Sequence, residues 1–243
     1  MTRYKMNISI SIFGDYGYPT DSMISEFKNF VANNSLFDLN LIVGKYGPLQ
    51  DSVFGQPDPT WGYFVYPQNL LPETKQKIPS NVQVNILMYD WKNKQTGYAG
   101  GMLGGDWGVY QNIPYVGLPL GQDPSFEANP WGPWSNVISQ RLTHEWMHTL
   151  KWILENLYGI TGFPNADGVC ETLGYNGTND PGWARCYQFF LSTKITDQMY
   201  QAIDRSGGGG VNWLDGTTCI TPTFCVSNKG IVAVGTVVFL MML

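Results

Sequence analysis

The segment from residue 135 to 158 constrains the fold of this chain more than any other stretch, because its apolar residues recur at helical spacing. Pro133 and Ser135 are typical of a helix start, and Gly159 is typical of a helix end. Between these signals, the apolar positions are Val137, Ile138, Leu142, Trp146, Leu150, Ile153, Leu154 and Leu157. The pattern predicts one long amphipathic helix.

Both histidines of the chain lie on this predicted helix, in the sequence His144-Glu145-Trp146-Met147-His148. Residues four apart on a helix project from one face, so His144 and His148 can bind a single metal ion. Glu145 lies one step round the helix, where its carboxylate can reach a water molecule bound to that metal. The spacing therefore predicts two zinc ligands and one general base, an arrangement that hydrolyses peptide bonds through a zinc-bound water.

The alternative interpretation is a pair of ordinary helix-face histidines that hydrogen-bond to an aspartate or to the backbone. Two histidines placed at random would lie four apart, with a glutamate after the first, in only about two of ten thousand chains. The predicted helix also supplies the structural context that this motif requires. We therefore favour the metal site.

Other patterns predict the elements around this helix. Alternating or β-branched stretches predict strands at 5–14, 36–44 and 82–91, and the spacing of apolar residues predicts a helix at 20–34. The prolines between Asn112 and Leu120 predict an edge strand there. Two shorter helices are predicted after the motif, at 182–195 and 197–206.

With this motif and this order of elements, the chain resembles the zincin metallopeptidases. The resemblance covers residues 5–160 in outline and five residues in letters. It implies an α+β, zincin-like fold, in which a twisted mixed β-sheet packs on helices that include the active-site helix. We expect a mostly helical, disulfide-containing C-terminal part to follow. The resemblance also implies a Zn²⁺ cofactor and a peptide or protein substrate that pairs with the edge strand at 112–120.

The identity of the third zinc ligand separates the zincin subclasses. The metzincin extension of the motif requires glycine at 151 and histidine or aspartate at 154, but the chain has Lys151 and Leu154. This departure excludes the metzincin pattern and leaves a gluzincin-like or aspzincin-like site. Because the chain has no third histidine, the third protein ligand should be an aspartate or a glutamate.

Three carboxylates after the helix are candidates for this ligand. Glu171 ranks first, at a separation seen in gluzincins, and Asp167 ranks second. Asp180 ranks third, because its surroundings match the aspzincin pattern only in part. Each has a structural alternative: Glu171 can be solvated, Asp167 can form a turn, and Asp180 can form a turn or a helix cap. Tyr175 is the candidate for stabilising the oxyanion of the intermediate.

These features predict that the chain divides into three parts. Residues 1–159 form a zincin-like N-terminal subdomain that ends with the motif helix. Residues 160–229 form a C-terminal subdomain that supplies the third ligand. Residues 230–243 form an apolar tail, either a strand or a truncated membrane anchor, since it is shorter than the roughly 20 residues of a membrane span.

The net charge of the chain indicates what it can bind, and its cysteines indicate where in or outside the cell it works. A net charge of −5 without a basic run argues against nucleic-acid binding. The four cysteines all lie in the last third and form no C-x-x-C pair; sequential pairing would join Cys170 to Cys186 and Cys219 to Cys225. Together with sequons at Asn7, Asn33 and Asn176, they predict a glycosylated protein outside the cell or at its surface. The alternative is a cytosolic protein with free buried cysteines.

The predicted function is that of a secreted or surface-exposed zinc metalloendopeptidase with Glu145 as its general base. One alternative is a cell-surface or envelope structural protein that has a zincin fold and little or no activity. The other is a zinc amidase that acts on a non-protein substrate. Membrane or cell-surface association through the apolar tail is a further expectation.

Overall fold

A computed structural model describes residues 2–14, 20–54, 65–79, 81–90, 106–120, 134–166, 170, 180–205, 211–212, 217–221 and 224–227. The strands are β1 (Tyr4–Phe13), β2 (Phe37–Tyr46), β3 (Val84–Asp90), β4 (Asp106–Tyr110), β5 (Ile113–Leu120), β6 (Val211–Asn212), β7 (Thr217–Thr221) and β8 (Phe224–Ser227). The α-helices are α1 (Thr20–Asn34), α2 (Pro72–Lys75), α3 (Trp134–Trp152), α4 (Asp180–Thr193) and α5 (Asp197–Ile203). Short 3₁₀ turns occupy Asp51–Val53 and Pro67–Asn69, and Ile153–Leu157 is a π-helical turn.

The main sheet has five strands in the order β2-β1-β3-β5-β4. The first four strands are parallel to one another, and β4 alone runs antiparallel to its neighbour β5. A two-residue turn joins β4 to β5, and its residues Gln111 and Asn112 have φ angles of 52° and 62°. Two left-handed residues are what a type I′ hairpin turn requires, so this turn sets the register of the edge hairpin. The sheet is mixed, as the resemblance to the zincins implied.

The expectation that residues 112–120 form the edge strand is wrong. Strand β5 lies between β3 and β4, so the edge strand on this side of the sheet is β4, where the sequence pattern predicted no strand. Pro114 and Pro119 each lie one residue from an end of β5. Proline has no backbone N–H and cannot donate a hydrogen bond to a neighbouring strand. Near the end of a strand this loss disrupts the hydrogen-bond ladder least, which is why β5 tolerates both prolines in the sheet interior.

Four of the helices contribute to a hydrophobic core on one face of this sheet. Alternate residues of β1, namely Met6, Ile8, Ile10 and Ile12, are buried against residues of α1, α3, α4 and α5. The opposite face carries a smaller cluster around Phe13, Leu87 and Tyr89, which packs on residues of the 51–78 region. Because β1 is covered on both faces, even its polar residues Ser9 and Ser11 are buried.

Helix α3 lies in the middle of the larger core. Trp146 is 0% exposed, and its ring contacts Phe27 of α1 and Phe37 of β2 edge to face, at centroid distances of 5.7 and 6.1 Å. Full burial of an aromatic side chain is worth several kcal/mol, so this contact fixes the position of α3 relative to the sheet. The two residues inside the histidine motif, Trp146 and Met147, are therefore core residues.

The C-terminal end of α3 matches the stop signal in the sequence. The helix continues as the π-helical turn, and Gly159 then adopts a φ of 64°. The N–H of Ile160 donates a hydrogen bond of 2.8 Å to the carbonyl of Leu154, which satisfies one of the last helical carbonyls. The predicted long helix and its end at Gly159 are confirmed.

The described part of the C-terminal region contains more than helices. Helices α4 and α5 are present as predicted, but β6, β7 and β8 form a small antiparallel sheet that the sequence pattern did not predict. The predicted disulfide between Cys170 and Cys186 is confirmed, with a Cα–Cα distance of 5.6 Å. Cys219 and Cys225 lie opposite each other in the β7–β8 register, and their bonding stays a prediction.

The predicted boundaries at 159/160 and 229/230 stay predictions. Core residues of α4 and α5 pack together with those of β1 and α3, on the other side of the first boundary. The apolar tail, residues 230–243, lies outside the described residues. Among the helices that are described, none combines the length and the apolar character needed to cross a bilayer.

Candidate metal centre

Helix α3 brings three potential metal-binding side chains to one place. The ligand atoms of His144, Glu145 and His148 all lie within 4.8 Å of one another. Glu145 is 7% exposed and His148 is 5% exposed, whereas His144 is partly exposed. The cluster is therefore nearly buried and opens to solvent on the side of His144.

The two imidazoles face each other through their Nε2 atoms. These atoms are 3.2 Å apart, and the ring planes are inclined at 82°. Two nitrogen ligands on a tetrahedral zinc ion, with Zn–N bonds of about 2.0–2.1 Å, lie about 3.3 Å apart. The residues present therefore fit a zinc ion that both Nε2 atoms share.

The other ring nitrogen of His144 is bound by a residue of α4. The hydroxyl oxygen of Tyr187 lies 2.7 Å from His144 Nδ1. Tyr187 is fully buried, so this contact forms away from bulk water. A histidine that binds a metal through Nε2 carries its proton on Nδ1, and a hydrogen-bond acceptor at Nδ1 favours that tautomer. Tyr187 occupies this position.

The other histidine is covered by a residue of the edge strand. The indole ring of Trp107 in β4 stacks on the imidazole of His148, with a centroid distance of 5.4 Å and an interplanar angle of 6°. The stack brings the edge of the sheet against the histidine pair. Strand β4 therefore borders the candidate metal centre.

A disulfide anchors the helix that carries Tyr187. Cys186 directly precedes Tyr187 in α4 and is bonded to Cys170, and both cysteines are fully buried. The bond ties the chain at residue 170 to the turn of α4 that contacts His144. Asp167 and Glu171 lie close to Cys170 in the sequence.

The predicted third ligands are not among the side chains that the structure describes. Asp167, Glu171 and Tyr175 lie outside the described residues, and their roles stay predictions. Asp180 is the first residue of α4, where an aspartate is favoured by the helix dipole, and its side chain is not described.

Two residues at the site were not predicted from the sequence. Tyr187 and Trp107 are among many tyrosines and tryptophans in the chain, and neither belongs to a motif with the histidines. In the sequence, Tyr187 differs from the other tyrosines only because it follows Cys186. The disulfide predicted for Cys186 indicates that the helix carrying Tyr187 is held in place. Tertiary contacts therefore add these two residues to the site.

The positions that a metzincin site would use have other contacts in this chain. Lys151 forms an ion pair with Glu155 and donates a hydrogen bond of 3.2 Å to the carbonyl of Phe163. Leu154 is fully buried in the core. Both residues are therefore explained by helix stability and packing.

Comparison with known proteins identifies no family. No protein-family model matches the chain, and no curated protein matches it. A similar solved structure is the crystal structure of archaemetzincin from Methanopyrus kandleri, with a TM-score of 0.40 and 13% sequence identity over 82% of this chain and 93% of that one. Likeness of this degree assigns neither family nor activity, so the function has to be argued from the site.

Proposed function

We propose that the chain is a zinc-dependent metallopeptidase that hydrolyses peptide bonds with water. The observation that carries the proposal is the 3.2 Å separation of the His144 and His148 Nε2 atoms, with the Glu145 carboxylate beside them. This set combines two zinc ligands of suitable spacing with a potential general base. A site of this kind suits the hydrolysis of an amide bond.

In this proposal each residue has a distinct role. His144 and His148 hold the zinc ion, which when bound supplies a Lewis acid that activates water and polarises the scissile carbonyl. Glu145 takes a proton from the attacking water and passes it to the departing amine nitrogen. Its low exposure, 7%, strengthens the interaction of its charge with groups in the site. Tyr175 is proposed to stabilise the oxyanion.

The third ligand is proposed to be Glu171, with Asp167 as the alternative. The support for both is the disulfide, which holds Cys170 against α4, the helix that contacts His144 through Tyr187. Glu171 follows Cys170 directly in the sequence, whereas Asp167 precedes it by three residues. A carboxylate next to the anchored cysteine has the least conformational freedom to lose when it binds a metal.

The substrate is proposed to be an extended segment of a peptide or protein. Such a segment can pair with an exposed sheet edge through backbone hydrogen bonds, and β4 is the edge strand next to the site. Because Trp107 of β4 stacks on His148, a segment paired along β4 would pass close to the histidine pair. This proposal moves the substrate strand from residues 112–120, where the sequence placed it, to β4.

An extracellular or cell-surface location is also proposed. Its support is the Cys170–Cys186 bond, because disulfides persist mainly in oxidising compartments. The sequons contribute less: Asn7 lies in β1 and Asn33 in α1, and Asn176 lies outside the described residues. Glycosylation and membrane association stay predictions.

The substitution Glu145→Gln tests the proposed chemistry. It keeps the size and much of the hydrogen-bonding capacity of the side chain but removes the base, so we expect zinc content to stay unchanged. We expect the rate of casein cleavage to fall by about 10²- to 10⁴-fold. Both quantities should be measured on the same preparation, by metal analysis and by a fluorescent casein assay.

Glu155→Gln is the matched control for this experiment. Glu155 follows α3 in the π-helical turn and pairs with Lys151, so its substitution should leave both zinc content and cleavage unchanged. Casein cleavage by Glu145→Gln at the wild-type rate would contradict the mechanism. A peptide-library digest with and without chelator separates a peptidase from both alternatives: cleavage of no peptide supports a structural protein or an amidase.

A further inference from the structure

Tyr187 is a fully buried residue that contacts the histidine pair from a separate helix. Its hydroxyl lies 2.7 Å from His144 Nδ1, and the rings are 5.9 Å apart between centroids. Its neighbours in α4 include the buried Phe190 and Leu191, and Cys186 before it is disulfide-bonded. The hydroxyl is thus presented by a rigidly held part of the fold.

The orientation of the His144 ring decides whether it can bind a metal. Rotation about χ2 of histidine has a broad, roughly two-fold preference, so the ring has two flipped orientations of similar intrinsic energy. A flip exchanges Nδ1 with Cδ2 and Nε2 with Cε1. It would replace the metal-binding nitrogen by a carbon and would also break the hydrogen bond to Tyr187. That hydrogen bond therefore selects the orientation in which Nε2 faces His148.

The same hydrogen bond is compatible with the tautomer that binds a metal, because the Tyr187 hydroxyl can accept a hydrogen bond from Nδ1–H. Nε2 can bind a metal only through its lone pair, which in the neutral ring places the proton on Nδ1. When Nδ1 carries the proton, it donates to the Tyr187 oxygen. We propose that Tyr187 is a positioning residue that holds His144 in this tautomer and orientation, ready to bind the metal. The proposal rests on the metal site of the proposed function, and it assigns Tyr187 no contact with the substrate.

Nitrogen NMR of the histidine rings tests this proposal directly. The chain has only two histidines, so a sample labelled with ¹⁵N-histidine gives two imidazole spin systems, and a His148→Ala spectrum assigns them. In the metal-free wild type we expect His144 to be protonated at Nδ1 and unprotonated at Nε2. In Tyr187→Phe we expect a mixture of tautomers, because the acceptor at Nδ1 is gone.

Zinc affinity provides the second measurement. Loss of a hydrogen-bond partner of a metal-binding histidine typically weakens metal affinity by about 10- to 100-fold. We expect a weakening in this range for Tyr187→Phe, measured by competition with a chromophoric chelator. Tyr200→Phe is the matched control, because the buried hydroxyl of Tyr200 bonds the Leu36 N–H instead of a histidine. It should leave zinc affinity and both histidine spectra unchanged.

The outcomes separate this proposal from the proposed function. Wild-type zinc affinity and an unchanged His144 spectrum in Tyr187→Phe would overturn the positioning role. If Tyr187→Phe does not fold, the wild-type spectrum decides: protonation of His144 at Nε2 overturns the proposal, and protonation at Nδ1 supports it. A wild type that binds zinc but cleaves no peptide would defeat the peptidase function, while the affinity loss would still support the role of Tyr187.

Discussion

Two buried tyrosines on successive helices use their hydroxyl groups in different ways. Tyr187 of α4 contacts His144, whereas the hydroxyl of Tyr200 in α5 accepts a hydrogen bond of 3.0 Å from the Leu36 N–H. The ring of Tyr200 also stacks on Tyr4 of β1, at a centroid distance of 5.1 Å. The first tyrosine serves the candidate site, and the second holds α5 against the start of the sheet.

Burial raises the pKa of Tyr200 above its ordinary value of 10.0, and the hydrogen bond from Leu36 offsets only part of this effect. The folded protein therefore holds the phenol proton more tightly than the unfolded chain does. The resulting stabilisation is fully present below about pH 10 and is lost as the pH rises through the higher pKa of the folded state. We expect the free energy of unfolding to decline in this range.

Tyr200→Phe isolates this contribution from that of the other tyrosines. Urea unfolding of both proteins between pH 8 and pH 11 should give a constant difference at the lower pH values, of about 1 kcal/mol for the lost hydrogen bond. The advantage of the wild type should then shrink above about pH 10. A difference that stays constant to pH 11 would show that Tyr200 does not titrate differently in the two states.

The residues of the site could be predicted from the sequence only where local spacing determines them. His144, Glu145 and His148 lie within one helical turn, so the helix alone brings them together. Tyr187 and Trp107 reach the same histidines from α4 and β4, by contacts that depend on how the sheet and helices pack. No spacing in the sequence encodes such contacts.

At the scale of elements, the position of α4 depends on a covalent bond. The Cys170–Cys186 disulfide closes a loop with a sequence separation of 16 residues. Loop-closure entropy for such a loop corresponds to a stabilisation of about 3 kcal/mol. The same bond holds the helix that presents Tyr187, so its loss should affect the metal site as well as stability.

The double substitution Cys170→Ser with Cys186→Ser should lower the free energy of unfolding by about 2–4 kcal/mol. It should also weaken zinc affinity, because Tyr187 is then less firmly placed beside His144. Urea unfolding and chelator competition measure the two effects. The wild type treated with a dithiol reductant in urea should lose at least as much stability, because reduction also opens the predicted bond between Cys219 and Cys225. Unchanged stability in the double variant would contradict the anchoring role.

The elements themselves show where a sequence pattern succeeds and where it fails. Helix α1 and the long helix α3 were predictable because their apolar residues follow one helical period over many residues. Strand β4 was not predictable, because it has only five residues and one of them is glycine. Its hairpin turn also uses Gln111-Asn112 instead of the more recognisable Asn-Gly. Pairing with β5 stabilises β4, and that partner is not visible in its own sequence.

At the scale of the whole molecule, the candidate site lies where the motif helix meets the edge of the sheet. The buried Trp146 holds helix α3 in the core. Strand β4 contacts the His148 side chain of this helix, and α4 contacts the His144 side chain. The core that holds α3 is shared by the sheet and four helices. A well-packed core of this kind keeps the histidines in place without a contribution from the metal.

The measurement that tests the central claim most directly is the zinc content of the protein. After equilibration with micromolar zinc and removal of the excess, elemental analysis should find one zinc ion per wild-type chain. His144→Ala and His148→Ala should each hold far less, while Glu155→Gln should match the wild type. A wild-type chain that binds no zinc would instead mean that His144 and His148 are a hydrogen-bonded pair and that the chain is not a zinc peptidase.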